Sequence, residues 1–357
     1  MLTTDQVREA LRGVMDPELH RDIVDLGMAR DIQIDGNQVR FTLALTTLAC
    51  PLKGKIVDDA KAAILALDES LDVQVDLSEM TPAERQRILG PPPKQNESLA
   101  ARFNDIRHVV AVMSGKGGVG KSSVAGMLAT ALKRRGQRVG VLDADITGPS
   151  IPRMFGMSHP PMRGPVGIIP PVSRTGIAVM SINLLLPNED EAVVWRGPLI
   201  GGTIKQFWND VTWGRLDTLV IDLPPGTSDA SLTVMQSIPL SGVVLVTSPQ
   251  DLAGMVVRKA AHMAEHLSVP ILGLVENMAY LDCPDCGQRI QLFGPSAAEA
   301  TAARLGIPFL GSLPLDPNLA VLCDSGRIEE YESPDFAPIA EAIMDRVPAT
   351  KTVPPMP

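Results

Sequence analysis

Cysteine, aromatic side chains and clustered positive charge are all scarce in this chain, and each scarcity excludes something. Four cysteines in 357 residues do not make a disulfide framework, which belongs to short, cysteine-dense chains. An aromatic content of 3% argues against the stacking platforms that hold single-stranded nucleic acid. Lys and Arg number 32 against 41 Asp and Glu, a formal net charge of −9, which disfavours binding to a phosphate backbone. The longest basic cluster, Lys133-Arg134-Arg135, falls at a predicted helix end, where cations offset the helix dipole. No apolar run reaches the roughly 18 residues needed to span a bilayer. Met1-Leu2-Thr3-Thr4-Asp5 has neither the basic nor the apolar region of a signal peptide. The expectation is a cytoplasmic protein that binds neither nucleic acid nor membrane.

A proline run, Gly90-Pro91-Pro92-Pro93 followed by polar residues, can continue neither a helix nor a central strand and reads as a linker. It divides the chain into residues 1–90, a linker at 91–104, a second domain at 105–347 and a flexible tail at 348–357. In the first part, Thr3 and Gln6 make a capping box for a helix with Val7, Leu11 and Val14 on one face. Asp35-Gly36 joins two alternating runs as a hairpin. A helix after Cys50-Pro51 turns Ile56, Val57, Ala60, Ile64 and Leu67 inward, a strand covers 73–77, and Thr81-Pro82-Ala83-Glu84 opens a short helix that Gly90 stops. After the linker, continuous apolar runs at 108–113, 138–142, 218–222, 242–247, 271–276 and 309–311 alternate with helical patterns, as expected of parallel strands buried on both faces.

The segment Gly115-Lys116-Gly117-Gly118-Val119-Gly120-Lys121-Ser122 fits the phosphate-loop template and has its context, a strand before and an amphipathic helix after. Glycines let backbone N–H groups close on phosphate oxygens at a helix N-terminus. Lys121 is placed to reach the β- and γ-phosphates and the Ser122 hydroxyl to coordinate Mg2+. Two more apolar runs end in acids, Asp143-Ala144-Asp145 and Asp222, the latter followed by Pro224-Pro225-Gly226-Thr227. In a parallel sheet these carboxyl ends are where a Mg2+–phosphate group is met. The expected fold class is therefore α/β, a doubly wound, mostly parallel P-loop NTPase domain preceded by a small α/β domain.

Lys116 has no task in an ordinary phosphate loop, and the segment from Lys116 to Ser122 resembles the deviant Walker A motif of the nitrogenase-iron-protein/MinD/ParA superfamily. The resemblance implies ATP with Mg2+, bound by Gly115 through Ser123. It implies that Lys116 acts across a homodimer on the partner's nucleotide, that Asp145 orients the attacking water and that Asp222 serves Mg2+ beside Ser122. The segments Leu142–Ser150, Asp222–Asp229, Glu276-Asn277-Met278-Ala279-Tyr280 and Cys283-Pro284-Asp285-Cys286-Gly287 narrow it further. Together they are similar to the Mrp/ApbC family of iron–sulfur cluster carrier ATPases, with Asn277 as the implied base contact. Asp16-Pro17-Glu18-Leu19, the segment 22–27 and Thr46-Thr47-Leu48-Ala49-Cys50-Pro51 resemble a SufT-type iron–sulfur assembly domain. The implied function is to hold a labile cluster between the Cys283/Cys286 pairs of two protomers and to pass it from scaffold donors to apoprotein acceptors.

Other readings stay open at this stage. Two Cys-x-x-Cys copies could equally hold Zn2+, which would make the protein a zinc-stabilised adaptor. A MinD/ParA-like positioning ATPase shares the nucleotide site but leaves Cys283 and Cys286 without a role. Cys50 precedes a helix, so the dipole is expected to lower its pKa and make it a reactive thiol. Cys323 matches no ligand position and reads as structural. His262-Met263-Ala264-Glu265-His266 has the H-x-x-E-H spacing of a metalloprotease helix but no third ligand, and a solvated helix face is the commoner explanation.

Overall fold

The computed structural model describes residues 2–90, 98–186, 197–249 and 251–348, with side chains described in the last two segments from residues 199 and 255 onward. Residues 91–97 of the expected linker, and the expected tail from residue 349, lie outside these residues.

The first sheet carries β1 (Ala29–Asp35), β2 (Gln38–Leu45) and β3 (Asp72–Glu79) in that order. Helices α1 (Thr4–Arg12), α2 (Lys53–Leu65) and α3 (Pro82–Leu89) complete this part. Both capping boxes form, Thr3 with Gln6 and Thr81 with Glu84, each satisfying two otherwise orphaned N–H groups. Gly36 takes φ 57 at the hairpin turn, where a side chain would be strained. The pair β2–β3 is parallel, Val39 opposite Val73 and Phe41 opposite Val75, and so needs the crossover that α2 supplies. Leu67, expected inward, is 45% exposed; α2 ends at Leu65 and the chain has left the helical period by then.

The larger sheet begins with β4 (Asp105–Ser114), α4 (Lys121–Arg134), β5 (Val139–Asp143) and α5 (Ile151–Met154). A two-residue hairpin follows, β6 (Met162–Arg163) and β7 (Ile168–Ile169), then β8 (Ala178–Met180), α6 (Gly197–Asn209), β9 (Arg215–Asp222) and α7 (Asp229–Ser237). The chain continues through β10 (Gly242–Thr247), α8 (Asp251–His266), β11 (Ile271–Asp282), β12 (Arg289–Ile290) and α9 (Ala298–Leu305). It closes with β13 (Phe309–Pro314), α10 (Pro317–Asp324) and α11 (Phe336–Arg346). Strand order is β12-β11-β10-β4-β9-β5-β8, with β13 also on β11; every pair is parallel except β11–β12.

The continuous apolar runs are explained by burial on both faces. Val109, Ala111 and Met113 of β4 enter one core with α6, α7, α8 and α9, while Val110 and Val112 enter the other with α4, α5, α10 and α11. Successive strand side chains point to opposite faces, so a strand between two helical layers is apolar along most of its length. Its ends carry the chemistry.

Leu128, fully buried on α4, belongs to the second core. Leu128→Ala is expected to destabilise the protein by about 2–5 kcal/mol, read as a lower urea midpoint with an unchanged slope.

Candidate nucleotide and thiol sites

Where β4 ends, the chain turns through Gly115–Gly120 into α4. Gly118 and Gly120 take φ of 77 and 74, a region that residues with a Cβ avoid. A Cβ on Gly120 would lie 2.2 Å from Asn277 Nδ2, and one on Gly115 2.5 Å from Val256 Cγ1, so the loop is pressed against β11 and α8. Ser114 Oγ donates to the Lys116 carbonyl at 2.9 Å, and Gly226 N–H donates to the Ser114 carbonyl at 2.8 Å. These contacts tie the segment after β9 to the phosphate loop.

Register brings the acids together. Asp143 of β5 lies directly opposite Asp222 of β9, and both are fully buried. Lys121 Nζ donates to Asp222 Oδ1 at 2.6 Å and Ser122 Oγ to Asp222 Oδ2 at 2.5 Å. Burial pushes both carboxyls above the usual range, the neighbouring acid raises Asp143 further, and Lys121 opposes the rise. Asp143, expected with Asp145 at the strand end that meets the Mg2+–phosphate group, is not among the residues lining the cavity. Its Oδ1 accepts from Asp145 N–H at 3.1 Å, and its Oδ2 from Ser150 and Ile151 N–H at 3.1 and 3.2 Å. It thereby anchors the loop carrying Asp145. The i, i+2 spacing of Asp143 and Asp145 was the signal for it. Asp145 itself accepts from Thr147 Oγ1 at 3.1 Å and Gly148 N–H at 3.2 Å and faces the cavity.

The cavity, of about 430 Å³, is lined on one side by Gly117, Gly118, Gly120, Lys121, Ser122 and Ser123. Asp145 contributes from the loop after β5 and Asn277 and Met278 from β11, and Asp316, the N-cap of α10, closes it with Leu319 and Cys323 of that helix. Its size is that of a small-molecule site. The donors fit a magnesium nucleotide: backbone N–H groups and an ammonium for phosphate oxygens, and a hydroxyl beside a carboxylate for a hard cation. Asn277 donates its Nδ2 hydrogen to the Val119 carbonyl at 3.0 Å and so braces the loop. Lys116 is not among the lining residues. Cys323, read as structural, does line the cavity and contacts Ser123, and burial pushes its thiol up to about 11. Nothing in its local sequence announces that position.

The Cys-x-x-Cys pair lies at the tip of a hairpin that prolongs β11. Cys283 N–H donates to the Gln288 carbonyl at 2.9 Å and Gly287 N–H to the Cys283 carbonyl at 2.8 Å. Arg289 holds the base of the hairpin by its ion pair to Asp282 at 3.2 Å and by stacking 3.5 Å over the Tyr280 ring. Cys283 is half-buried and Cys286 exposed. The N–H groups of Cys286 and Asp285 point at the Cys283 sulfur and hold its pKa below the usual thiol range.

Cys50 departs from its expectation. The N–H groups of Leu52 and Lys53 do favour its thiolate, as a helix start should, but burial outweighs them and the Glu18 and Asp16 carboxylates add to the rise. Its pKa is raised, the reverse of what the helix dipole alone predicts. Glu18 is itself pushed up to about 7, first by burial and against the Val166 N–H. That N–H donates to Glu18 Oε1 at 2.7 Å, fastening the first sheet's domain to the β6–β7 hairpin. His262 and Glu265 pair on an exposed face at 3.3 Å, and among the described residues no group of three or more possible metal ligands forms.

Fold and site together define a P-loop NTPase with a second lysine in its phosphate loop. The chain belongs to the ParA family described as NUBPL iron-transfer P-loop NTPase, which matches residues 105–348; residues 4–77 match the iron-sulfur cluster assembly protein family. An iron-sulfur cluster carrier protein of Synechocystis is 42% identical over 342 residues, covering 94% of each chain. One of Methanocaldococcus jannaschii is 44% identical over 264 residues, covering 72% of this chain and 91% of its own. A nucleotide-binding protein from Archaeoglobus fulgidus, solved in complex with ADP, superposes with a TM-score of 0.58 at 48% identity, over 65% of this chain and 90% of that one. No helix among the described residues is long and apolar enough to cross a membrane.

Two outcomes are expected from this geometry. Lys121→Ala strands the Asp222 carboxylate and should cost about 3–5 kcal/mol in nucleotide-free protein; Lys121→Ala/Asp222→Asn should recover most of it, as chemical denaturation will measure. In limited iodoacetamide labelling followed by mass spectrometry, Cys283 should react well before Cys50 at neutral pH. A raised thiol pKa leaves less thiolate, so the Cys50 rate should still be climbing above the ordinary thiol range.

Proposed function

We propose that this protein is an iron–sulfur cluster carrier, divided at residues 1–90 and 105–347, that works as a homodimer. Its cargo is held by the Cys283/Cys286 pairs of two protomers and passed from scaffold donors to apoproteins. The observation that carries this reading is the hairpin tip, where one chain offers two thiols, one of them with a lowered pKa, and no third ligand among the described residues. Four thiolates are the usual complement of a cluster, and a two-fold axis through the tip would supply them. The family and the names of its carrier relatives point the same way.

ATP binding with slow hydrolysis accompanies transfer. Lys121 would meet the β- and γ-phosphates, Ser122 and Asp222 would hold Mg2+, Asp145 would orient water, and Asn277 would adjoin the base. Lys116, outside its own cavity lining, is assigned to the partner's nucleotide. Cys50 is assigned a part in cluster receipt that begins only when its buried thiol is uncovered. The net charge of −9 agrees with protein partners in the cytoplasm rather than with nucleic acid or membrane.

Anaerobic reconstitution with iron and sulfide tests the proposal. Wild type should yield a brown dimer containing iron and sulfide, and Cys283→Ala/Cys286→Ala a colourless protein. Stoichiometric zinc without colour, or a cluster that survives the double substitution, would refute it in favour of the zinc-adaptor reading or of a cluster held elsewhere.

A further inference from the structure

The strand that ends at the cysteine hairpin also forms a wall of the nucleotide cavity, and it is irregular at that point. Pairing of β11 with β13 slips between Glu276 and Tyr280, and Met278 takes φ 57, a left-handed conformation uncommon for a residue with a long side chain. The phosphate loop rests on this bulge. Asn277 is bonded to Val119, and a Cβ on Gly120 would lie 3.3 Å from Met278 Cε. Bulges of this kind recur beside active sites, where they redirect a strand.

Glu276, the residue before, is fully buried and has no role in the nucleotide site described above. Its Oε1 accepts from Ser296 Oγ at 2.8 Å and its Oε2 from Ser312 Oγ at 2.9 Å. Ser296 lies in the segment that returns from the cysteine hairpin to α9, so the first bond closes a loop of 20 residues that contains Cys283 and Cys286. A buried carboxylate at the middle of a sheet is costly where an apolar side chain would pack. Here it clasps the returning limb of the hairpin, through Ser296, and β13, through Ser312, to β11, the strand that touches the phosphate loop.

We infer that Glu276 is a positioning residue that makes the cysteine hairpin respond to occupancy of the phosphate loop, through Asn277 and the bulge at Met278. Four residues of strand separate Met278 from Cys283, and β12 stiffens their far end by pairing Leu281 with Ile290 and Asp282 with Arg289. A shift of the loop against Asn277 is thus carried along β11 to the thiols, and the clasp to Ser296 makes both limbs of the hairpin move together. The inference builds on the reading of the cysteine pair as the cargo site, but its test needs no cargo.

The full chain, reduced and free of iron, is alkylated with iodoacetamide, with and without Mg2+ and a non-hydrolysable ATP analogue. Labelling of Cys283 and Cys286 is followed by mass spectrometry, and analogue affinity by calorimetry. In wild type the analogue should change the labelling rate by about fivefold or more. Ser296→Ala, away from the cavity, should keep analogue affinity and lose that response. Glu276→Gln, whose amide can still bond both serines, should retain it. A wild type whose labelling ignores the analogue, or a Ser296→Ala protein that responds as wild type does, would overturn the inference. Failure to reconstitute a cluster would leave this readout intact, so the two readings fail separately.

Discussion

A buried cation between two buried acids organises this protein. Lys121 bonds Asp222 at 2.6 Å, and Asp143 stands opposite Asp222 in the neighbouring strand. Removing such charges from water is tolerable only when donors are already in place. Here they are Lys121, Ser122 and the N–H groups of Asp145, Ser150 and Ile151. Three parallel strands must end at the same level for this, which is why the doubly wound order matters more than any single loop. The cluster also ties the phosphate loop to the Asp145 loop through the ends of β5 and β9.

The thiols display the same competition between burial and hydrogen bonding with opposite results. Both Cys50 and Cys283 are approached by two backbone N–H groups, which favour the thiolate. For Cys283, at an open hairpin tip, nothing of comparable size opposes them. For Cys50, burial and two carboxylates win. A helix start is therefore insufficient to make a cysteine reactive; the surrounding dielectric decides. The difference is one of position: Cys283 stands half-buried at an open hairpin tip, and Cys50 is buried.

Much of this was legible in the sequence because it is local. The phosphate loop, the acids at strand ends, the two capping boxes and the hairpin at Asp35-Gly36 each depend on residues within a few positions of one another, and each formed where expected. The double-faced core was legible too, since an unbroken apolar run permits little else. The missed features join distant segments. Cys323 reaches the cavity only because α10 packs over it. Asn277 braces Val119 across 158 residues of chain, and Glu18 meets Val166 across 148.

The sequence by itself determined the fold class, the phosphate-binding loop and the presence of a two-thiol motif, because spacing along the chain sets backbone geometry and donor type directly. The tertiary structure decided which acids face each other, which thiol has its pKa lowered and which raised, and that β11 runs from the nucleotide wall to the cysteine hairpin. Those depend on burial and on the distance between charges, and both come into existence only when remote segments pack.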